Sequence, residues 1–108
     1  MKITPRDHVK FEPDRMAKIG LAGTARVQLD LYCLKPGQAQ KLHAHDDQDK
    51  IYVVLEGRAR VRLGDAEHAL GAGEAVLAPA GTPHGLENDG ETPVVALVVV
   101  TPPPRHAR

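Results

Sequence analysis

Two stretches of the chain decide its fold: residues 37–57, GQAQKLHAHDDQDKIYVVLEG, and residues 73–88, GEAVLAPAGTPHGLEN. The first carries His43 and His45 two positions apart, and side chains at i and i+2 of a β-strand point to the same side of the sheet. The second carries His84 after a strand-like run and a Gly/Pro turn. Imidazoles from two separate strands can meet at one transition-metal ion. The sequence therefore predicts a small metal-binding β-barrel.

The rest of the chain reads as short strands separated by turn residues. Apolar and polar residues alternate over residues 24–34, which predicts a half-buried strand. Leu31 and Cys33 are predicted to lie on its buried face, and Asp30 and Tyr32 on its solvent-exposed face. Further strands are predicted over residues 40–45, 51–55, 58–63, 66–70, 75–79, 84–87 and 93–101. Because almost no segment has helical periodicity, the pattern indicates an all-β protein, either an antiparallel sandwich or a barrel.

A chain of 108 residues is expected to form one domain with a single core. Residues 1–22 are interrupted by prolines and are predicted to be an N-terminal arm with one helical turn over residues 14–19. Such an arm either packs on a neighbouring subunit or is a loose terminus. The predicted barrel covers residues 23–101, and residues 102–108 form a C-terminal tail.

Composition narrows the classes of partner and the compartment. The formal net charge is zero, with 14 basic and 14 acidic residues and no basic stripe, which argues against nucleic acid. No apolar run is long enough for a membrane span, and no signal-peptide pattern opens the chain. The single Cys33 cannot form an internal disulfide and is predicted to be a packed apolar thiol. We therefore expect a cytoplasmic protein with a small-molecule ligand, no nucleic acid and no membrane.

The two stretches resemble the motifs of the cupin superfamily, G-x5-H-x-H-x(3,4)-E-x6-G and G-x5-P-x-G-x2-H-x3-N. The second motif is met at all of its fixed positions, Gly73, Pro79, Gly81, His84 and Asn88. The first is met at Gly37, His43, His45 and Gly57. Sixteen positions separate Gly57 from Gly73, which is close to the shortest segment the family uses. The resemblance implies a double-stranded β-helix (jelly-roll) barrel, with a metal ion at its mouth and commonly a dimer.

One position departs from this resemblance. Counting back from Gly57, the glutamate ligand of the family falls on Lys50, whose ammonium has no lone pair for a cation. Asp49 matches the shorter spacer, but strand parity from Tyr52 turns it to the other face. Parity favours Gln48, whose amide oxygen can bind a metal. The fourth ligand is therefore Gln48, Asp49 or no protein group, and three neutral imidazoles alone would still hold a divalent ion.

Other residues carry weaker predictions. A metal-free barrel with polar pocket histidines is the alternative to the metal site. The remaining histidines, His8, His68 and His106, are predicted to lie on the surface. Lys50 is predicted either to pair with Asp49, which is favoured, or to contact an anionic substrate. Tyr52 is predicted either to line the pocket with its hydroxyl or to belong to the core.

The resemblance implies two classes of function. The first is a mononuclear metalloenzyme of dioxygenase, isomerase, decarboxylase or lyase type that acts on a small oxygenated molecule, with iron, manganese, nickel, zinc or copper as candidate metals. No catalytic residue is assigned, and no Asp or Glu is placed inside the barrel, which favours oxygen chemistry or simple binding. The second class is a non-catalytic ligand-binding or sensor module, and a structural protein with a vestigial site is the weakest alternative. A homodimer is expected in each case, since small all-β barrels must hide strand edges.

Overall fold

A computed structural model describes residues 1–104 as two antiparallel β-sheets that face each other. A 3₁₀ turn at Pro5–His8 precedes strands β1 (Ala17–Gly23), β2 (Gln28–Leu34), β3 (Ala39–His43), β4 (Asp49–Glu56), β5 (Arg58–Leu63), β6 (Ala66–Gly71), β7 (Ala75–Ala78), β8 (His84–Glu87) and β9 (Val94–Thr101). The five-stranded sheet has the order β1-β2-β9-β4-β7, and the four-stranded sheet has the order β3-β8-β5-β6. This architecture confirms the predicted all-β jelly-roll barrel.

Aliphatic side chains and two tyrosines fill the space between the sheets. The buried members of this core are Tyr32, Leu34, Tyr52, Val54, Ala59, Val61, Leu70, Leu86, Val94, Ala96, Val98 and Val100. Alternate residues of a strand point to opposite sides, so Lys50 lies on the same inner side of β4 as Tyr52 and Val54. The strand register thereby places a lysine inside the barrel.

Strand β2 is buried on both faces, so the half-buried strand predicted for residues 24–34 is wrong. Asp30 and Tyr32 point into the barrel and are buried. Leu31 and Cys33 lie on the outer face, where Phe11 packs against them. Alternation of apolar and polar residues shows only that the two faces of a strand differ. It does not show that the more polar face of β2 points into the barrel, or that another segment of the chain covers the apolar face.

The N-terminal segment belongs to the barrel more closely than the sequence indicated. The helical turn predicted over residues 14–19 is wrong, because Ala17–Gly23 is extended and pairs antiparallel with β2. Residues ahead of β1 pack on their own chain, since the Arg6 guanidinium donates hydrogen bonds to Glu56 Oε1 (3.1 Å) and to the Leu55 carbonyl oxygen (3.2 Å). Part of the predicted arm is therefore an edge strand of the five-stranded sheet.

Two of the three histidines predicted to lie on the surface belong to the described part of the chain. His8 and His68 are exposed, as predicted. His106 and most of the predicted tail fall in residues 105–108, outside the described part of the chain. Within residues 1–104, no helix is long and apolar enough to cross a membrane.

Candidate metal and ligand site

Strand pairing brings the three motif histidines together at one end of the barrel. His43 ends β3 and His84 begins β8, and the two residues are direct partners in the antiparallel ladder. Their ring centroids are 4.3 Å apart, and His45 lies 5.0 Å from His43 and 6.4 Å from His84. The His45 carbonyl oxygen accepts a hydrogen bond from the Gly81 N–H (2.8 Å), which ties the loop after β3 to the turn before β8. The structure thus places all three rings in one cluster.

Two of the rings are oriented by backbone carbonyls. His43 Nδ1 lies 2.7 Å from the Lys41 carbonyl oxygen, and His84 Nδ1 lies 2.9 Å from the Thr82 carbonyl oxygen. A carbonyl only accepts, so each Nδ1 carries the proton and each Nε2 keeps its lone pair. Burial lowers the pKa of both imidazoles, which favours their neutral forms. The acceptor nitrogen of each of these two rings is therefore Nε2.

His84 Nε2 has a buried and unsatisfied lone pair. It is the one buried side-chain nitrogen or oxygen without a hydrogen-bond partner that the described residues contain. Leaving such an acceptor unpaired costs about 1–3 kcal/mol. A neighbouring Lewis acid or hydrogen-bond donor would remove that cost, so this atom marks the place where a bound group belongs.

Lys50 occupies the position at which the resemblance implied a carboxylate. Its side chain is 5% exposed, and its Nζ donates to His43 Nε2 at 3.3 Å. Burial lowers the pKa of Lys50 to about 8, with a smaller lowering from the charge of Lys18 and an opposing increase from Asp30. Near neutral pH an ammonium group therefore lies beside the imidazoles.

The two alternative oxygen ligands have different surroundings. Asp49 lies on the outer side of β4, and its Oδ1 accepts a hydrogen bond from the Ala80 N–H (2.9 Å) in the turn before β8. The predicted Lys50–Asp49 pair is therefore wrong, because the two side chains point to opposite faces of β4. Gln48 precedes β4 and is 6% exposed, and its role as a ligand stays a prediction.

A chain of polar groups lies inside the barrel beside the histidines. The Tyr52 hydroxyl donates to Gln40 Oε1 (2.6 Å), and Gln40 Nε2 donates to the Tyr32 hydroxyl (3.2 Å). Burial raises the pKa of Tyr32 to about 12 and raises that of Tyr52 as well, so both phenols stay protonated. Tyr52 thus belongs to the core and also offers its hydroxyl to the interior.

Asp30 is an interior carboxylate that the sequence interpretation missed. The side chain is 1% exposed, and its two oxygens accept hydrogen bonds from Gln28 Nε2 at 2.9 Å and 3.2 Å. This corrects the expectation that no Asp or Glu lies inside the barrel. The available signal was Leu34, an apolar residue on the same side of β2 as Asp30 and Tyr32.

The imidazoles have the chemistry of metal ligands, but in the described residues they are not arranged as a formed metal site. Among residues 1–104, no group of three His, Cys, Asp or Glu side chains is arranged so that it could hold a metal ion. The Nδ1 anchors of His43 and His84 and the unpaired His84 Nε2 are nevertheless what imidazole ligands require. Binding through His43 Nε2 would require Lys50 Nζ to move away from it.

Comparison with known proteins settles the family. Residues 30–100 match the model of the Cupin domain family. The chain belongs to the cupin family. Among solved structures, the cupin is similar to TT1209 from Thermus thermophilus, with 45% identity, a TM-score of 0.89 and coverage of 92% of this chain and 94% of that one. A double-stranded β-helix protein from Klebsiella pneumoniae, 24% identical with a TM-score of 0.86 and coverage of 94% and 89%, agrees in fold.

Curated relatives share the domain and leave its activity open. The cupin is 37% identical over 79 residues to the uncharacterised protein SCO3923 of Streptomyces coelicolor, covering 71% of each chain. It is 34% identical over 70 residues to the uncharacterised protein MJ1618 of Methanocaldococcus jannaschii, covering 65% of this chain and 56% of that protein. Mannose-1-phosphate guanylyltransferase 2 of Escherichia coli O157:H7 is 33% identical over 74 residues, which are 68% of this chain and 15% of that enzyme. The cupin therefore matches only part of the length of the last two relatives.

Proposed function

We propose that this cupin binds a divalent transition-metal ion through the Nε2 atoms of His43, His45 and His84, with Gln48 as the candidate fourth ligand. The observation that carries the proposal is the buried His84 Nε2, which has no hydrogen-bond partner within the described chain and belongs to a ring whose centroid is 4.3 Å from that of His43. The carbonyl contacts at Nδ1 of His43 and His84 add support, because they leave the lone pair of each ring on Nε2, although Lys50 Nζ would have to leave His43 Nε2 first.

The reaction class that such a site serves is a conversion of a small oxygenated molecule, of dioxygenase, isomerase or lyase type. Iron, manganese, nickel, zinc and copper all accept imidazole ligands, and the bound ion would supply Lewis-acid or oxygen chemistry. The Tyr52–Gln40 hydrogen bond orients an interior hydroxyl. Asp30 and Lys50 add a buried carboxyl and a buried amine side chain to the barrel interior.

Metal content and metal titration test this proposal. We expect purified protein to contain close to one metal ion per chain by elemental analysis, and chelator-treated protein to rebind one candidate divalent ion in calorimetry. His43→Ala and His84→Ala should abolish binding, whereas His68→Ala, at an exposed position, should leave it unchanged. Trace metal in the native protein together with no rebinding of any candidate ion would overturn the proposal.

A second candidate function is metal-free binding of a small ligand without turnover. The specific observation in its favour is Lys50 Nζ, which already donates to His43 Nε2 where a metal ion would bind. A ligand that binds only the native state stabilises it, by about 2.7 kcal/mol at 100 times its dissociation constant. Enols, catechols or sugars that raise the melting temperature of chelated protein, with no conversion after metal loading, would favour this function over catalysis.

We also propose that two copies form a dimer through the outer face of the five-stranded sheet. Leu77, Ile51, Val99 and Leu29 are successive cross-strand neighbours there, and Leu77 is 54% exposed. Burial of an aliphatic row against a second copy would hide it from water. Light scattering should show a dimer that Leu77→Lys weakens, while Leu42→Lys, 52% exposed on the other sheet, does not. A monomeric native protein would refute this proposal of a dimer.

The cytoplasmic location expected from the sequence stays a prediction.

A further inference from the structure

Two ammonium groups and one carboxylate lie on the inner side of the five-stranded sheet near the histidines. Lys50 supplies one ammonium beside His43. Lys18 supplies a second, because it pairs with Tyr32 across the β1–β2 ladder, and its Nζ lies 6.0 Å from the Tyr32 ring centroid. Asp30 is the carboxylate that faces this region from β2. The loop that follows His45 carries two more carboxylates, Asp46 and Asp47, both exposed, so the unbalanced positive charge is that of the buried Lys50.

The two ammonium groups lack a close counter-ion. Within residues 1–104, neither Lys18 nor Lys50 has a carboxylate oxygen within 4.0 Å, the distance that defines the ion pairs formed elsewhere on the surface. The oxygens of Asp30 accept hydrogen bonds from Gln28 instead. Lys50 donates to a neutral imidazole, which compensates its charge only weakly. Lys50 is buried whereas Lys18 is exposed. A buried charge without a counter-ion is costly, and an anion bound beside Lys50 would remove that cost.

We propose that the histidine cluster binds a small oxyanion, a carboxylate or a phosphate group, and that Lys50 and Lys18 select it by charge. This inference rests on the proposed function in using the same cluster, but its test is separate from the test of metal binding. Lys50 stands where the first motif has a glutamate, so one substitution reverses the sign of the charge beside the ligand. Without a metal ion, a carboxylate at this position would repel an oxyanion, whereas an ammonium group would attract one.

The other groups around Lys50 are consistent with an oxyanion occupant. His84 is a buried neighbour of the same cluster, and Tyr52 presents its ring, whose centroid is 5.9 Å from Lys50 Nζ. Lys50 has three N–H protons, of which the contact with His43 uses one. The remaining protons are donors for an acceptor-rich ligand. A neutral amide or alcohol would satisfy the donors without balancing the charge.

Calorimetry at low ionic strength and pH 7 provides the test, with malonate and inorganic phosphate as probes and malonamide as the uncharged match for malonate. We expect malonate, phosphate or both to bind and malonamide not to bind. The stronger probe identifies the carboxylate or the phosphate as the preferred group. Affinity should fall as salt is added, because screening weakens the attraction.

Variants assign the binding to the two lysines. Lys50→Met should weaken binding of the stronger probe about 10- to 100-fold, the usual range for a charged hydrogen bond. Lys18→Met, at an exposed position that tolerates change, should weaken it several-fold. Lys35→Met, in an exposed turn, is the matched control and should bind like the native protein. Native-like binding by both Lys50→Met and Lys18→Met would overturn the inference, and so would equal binding of malonate and malonamide.

The same samples separate this inference from the metal proposal. Lysine-dependent anion binding by a protein that binds no metal would leave the inference standing and remove the metal proposal. Stoichiometric metal binding with no preference for malonate over malonamide would support the metal proposal and overturn the inference about the oxyanion. Metal stoichiometry should therefore be measured on the native protein and on both lysine variants alongside the anion titrations.

Discussion

Replacing Gly57 by alanine will destabilise the barrel far more than replacing Gly73, although the sequence motifs treat the two glycines alike. Both have a left-handed backbone, with φ of +82° at Gly57 and +87° at Gly73. A residue with a Cβ pays about 1–2 kcal/mol in that region. That conformational cost is common to the two substitutions, so any difference between them must come from the space around the new methyl group.

The space available to an added Cβ differs between Gly73 and Gly57. A Cβ at Gly73 would have no atom within 4 Å, whereas a Cβ at Gly57 would lie 2.1 Å from the Pro93 carbonyl oxygen and 3.2 Å from Val94 Cα. Contacts under 3.0 Å essentially never occur for real Cβ atoms, so the backbone must shift by most of an ångström. Pro93 leads into β9, which pairs on both sides, with β2 and β4. Relief would disturb the centre of the sheet, and we expect about 3 kcal/mol beyond the conformational cost.

Urea unfolding followed by circular dichroism measures both costs. Gly73→Ala should lose about 1–2 kcal/mol and Gly57→Ala about 4–5 kcal/mol, a large share of the usual stability of a domain of this size. Gly37→Ala is a second control, since its φ is +87° and nothing lies within 4 Å of the added Cβ. Equal destabilisation by all three substitutions, within about 1 kcal/mol, would refute the close approach of the β4–β5 turn to Pro93.

Three further outcomes are expected. Asn88→Ala removes donors to the Leu34 and Thr92 carbonyl oxygens and should cost about 2–4 kcal/mol in urea unfolding; a loss below about 0.5 kcal/mol would contradict the buried contacts. Burial raises the pKa of the Cys33 thiol, so a thiol reagent should react with it only after unfolding, and rapid labelling of native protein would count against that burial. Burial lowers the pKa of His84, so the unfolded chain binds more protons below about pH 6.5. Stability of chelated protein should therefore fall as the pH drops from about 6.5, less steeply in His84→Gln, and a pH-independent stability would argue against a buried neutral imidazole.

The sequence predicted the fold and the histidine cluster because both depend on strand register. Fixed spacing between motif residues corresponds to fixed positions on paired strands, and His43 and His84 are direct ladder partners. Two strands, Arg58–Leu63 and His84–Glu87, also have the predicted bounds. A local pattern is sufficient where a side chain is positioned by its own strand and that strand's neighbour.

The features that the sequence missed depend on contacts between distant segments. The charge of Asp30 predicts a solvent-facing residue. The structure shows that Asp30 shares the buried inner side of β2 with Tyr32 and Leu34. Phe11 lies in an irregular segment, and nothing local shows that it covers the outer face of that strand. Lys50 was placed on the correct face by parity, but its contact with His43 joins β4 to β3, strands of different sheets. Alternation within one strand cannot supply such partners.

The candidate site therefore has a part set by the backbone and a part set by one side chain. The rings of His43 and His84 are each held by the carbonyl of the residue two positions earlier, Lys41 and Thr82. Any residue at those two positions supplies a carbonyl, so the orientation of the imidazoles follows from the fold itself. Lys50 has no such constraint, because the inner side of β4 fixes where a side chain points but not its charge. If Lys50 binds an anion as proposed, position 50 is where the charge preference of the site changes without the movement of a strand.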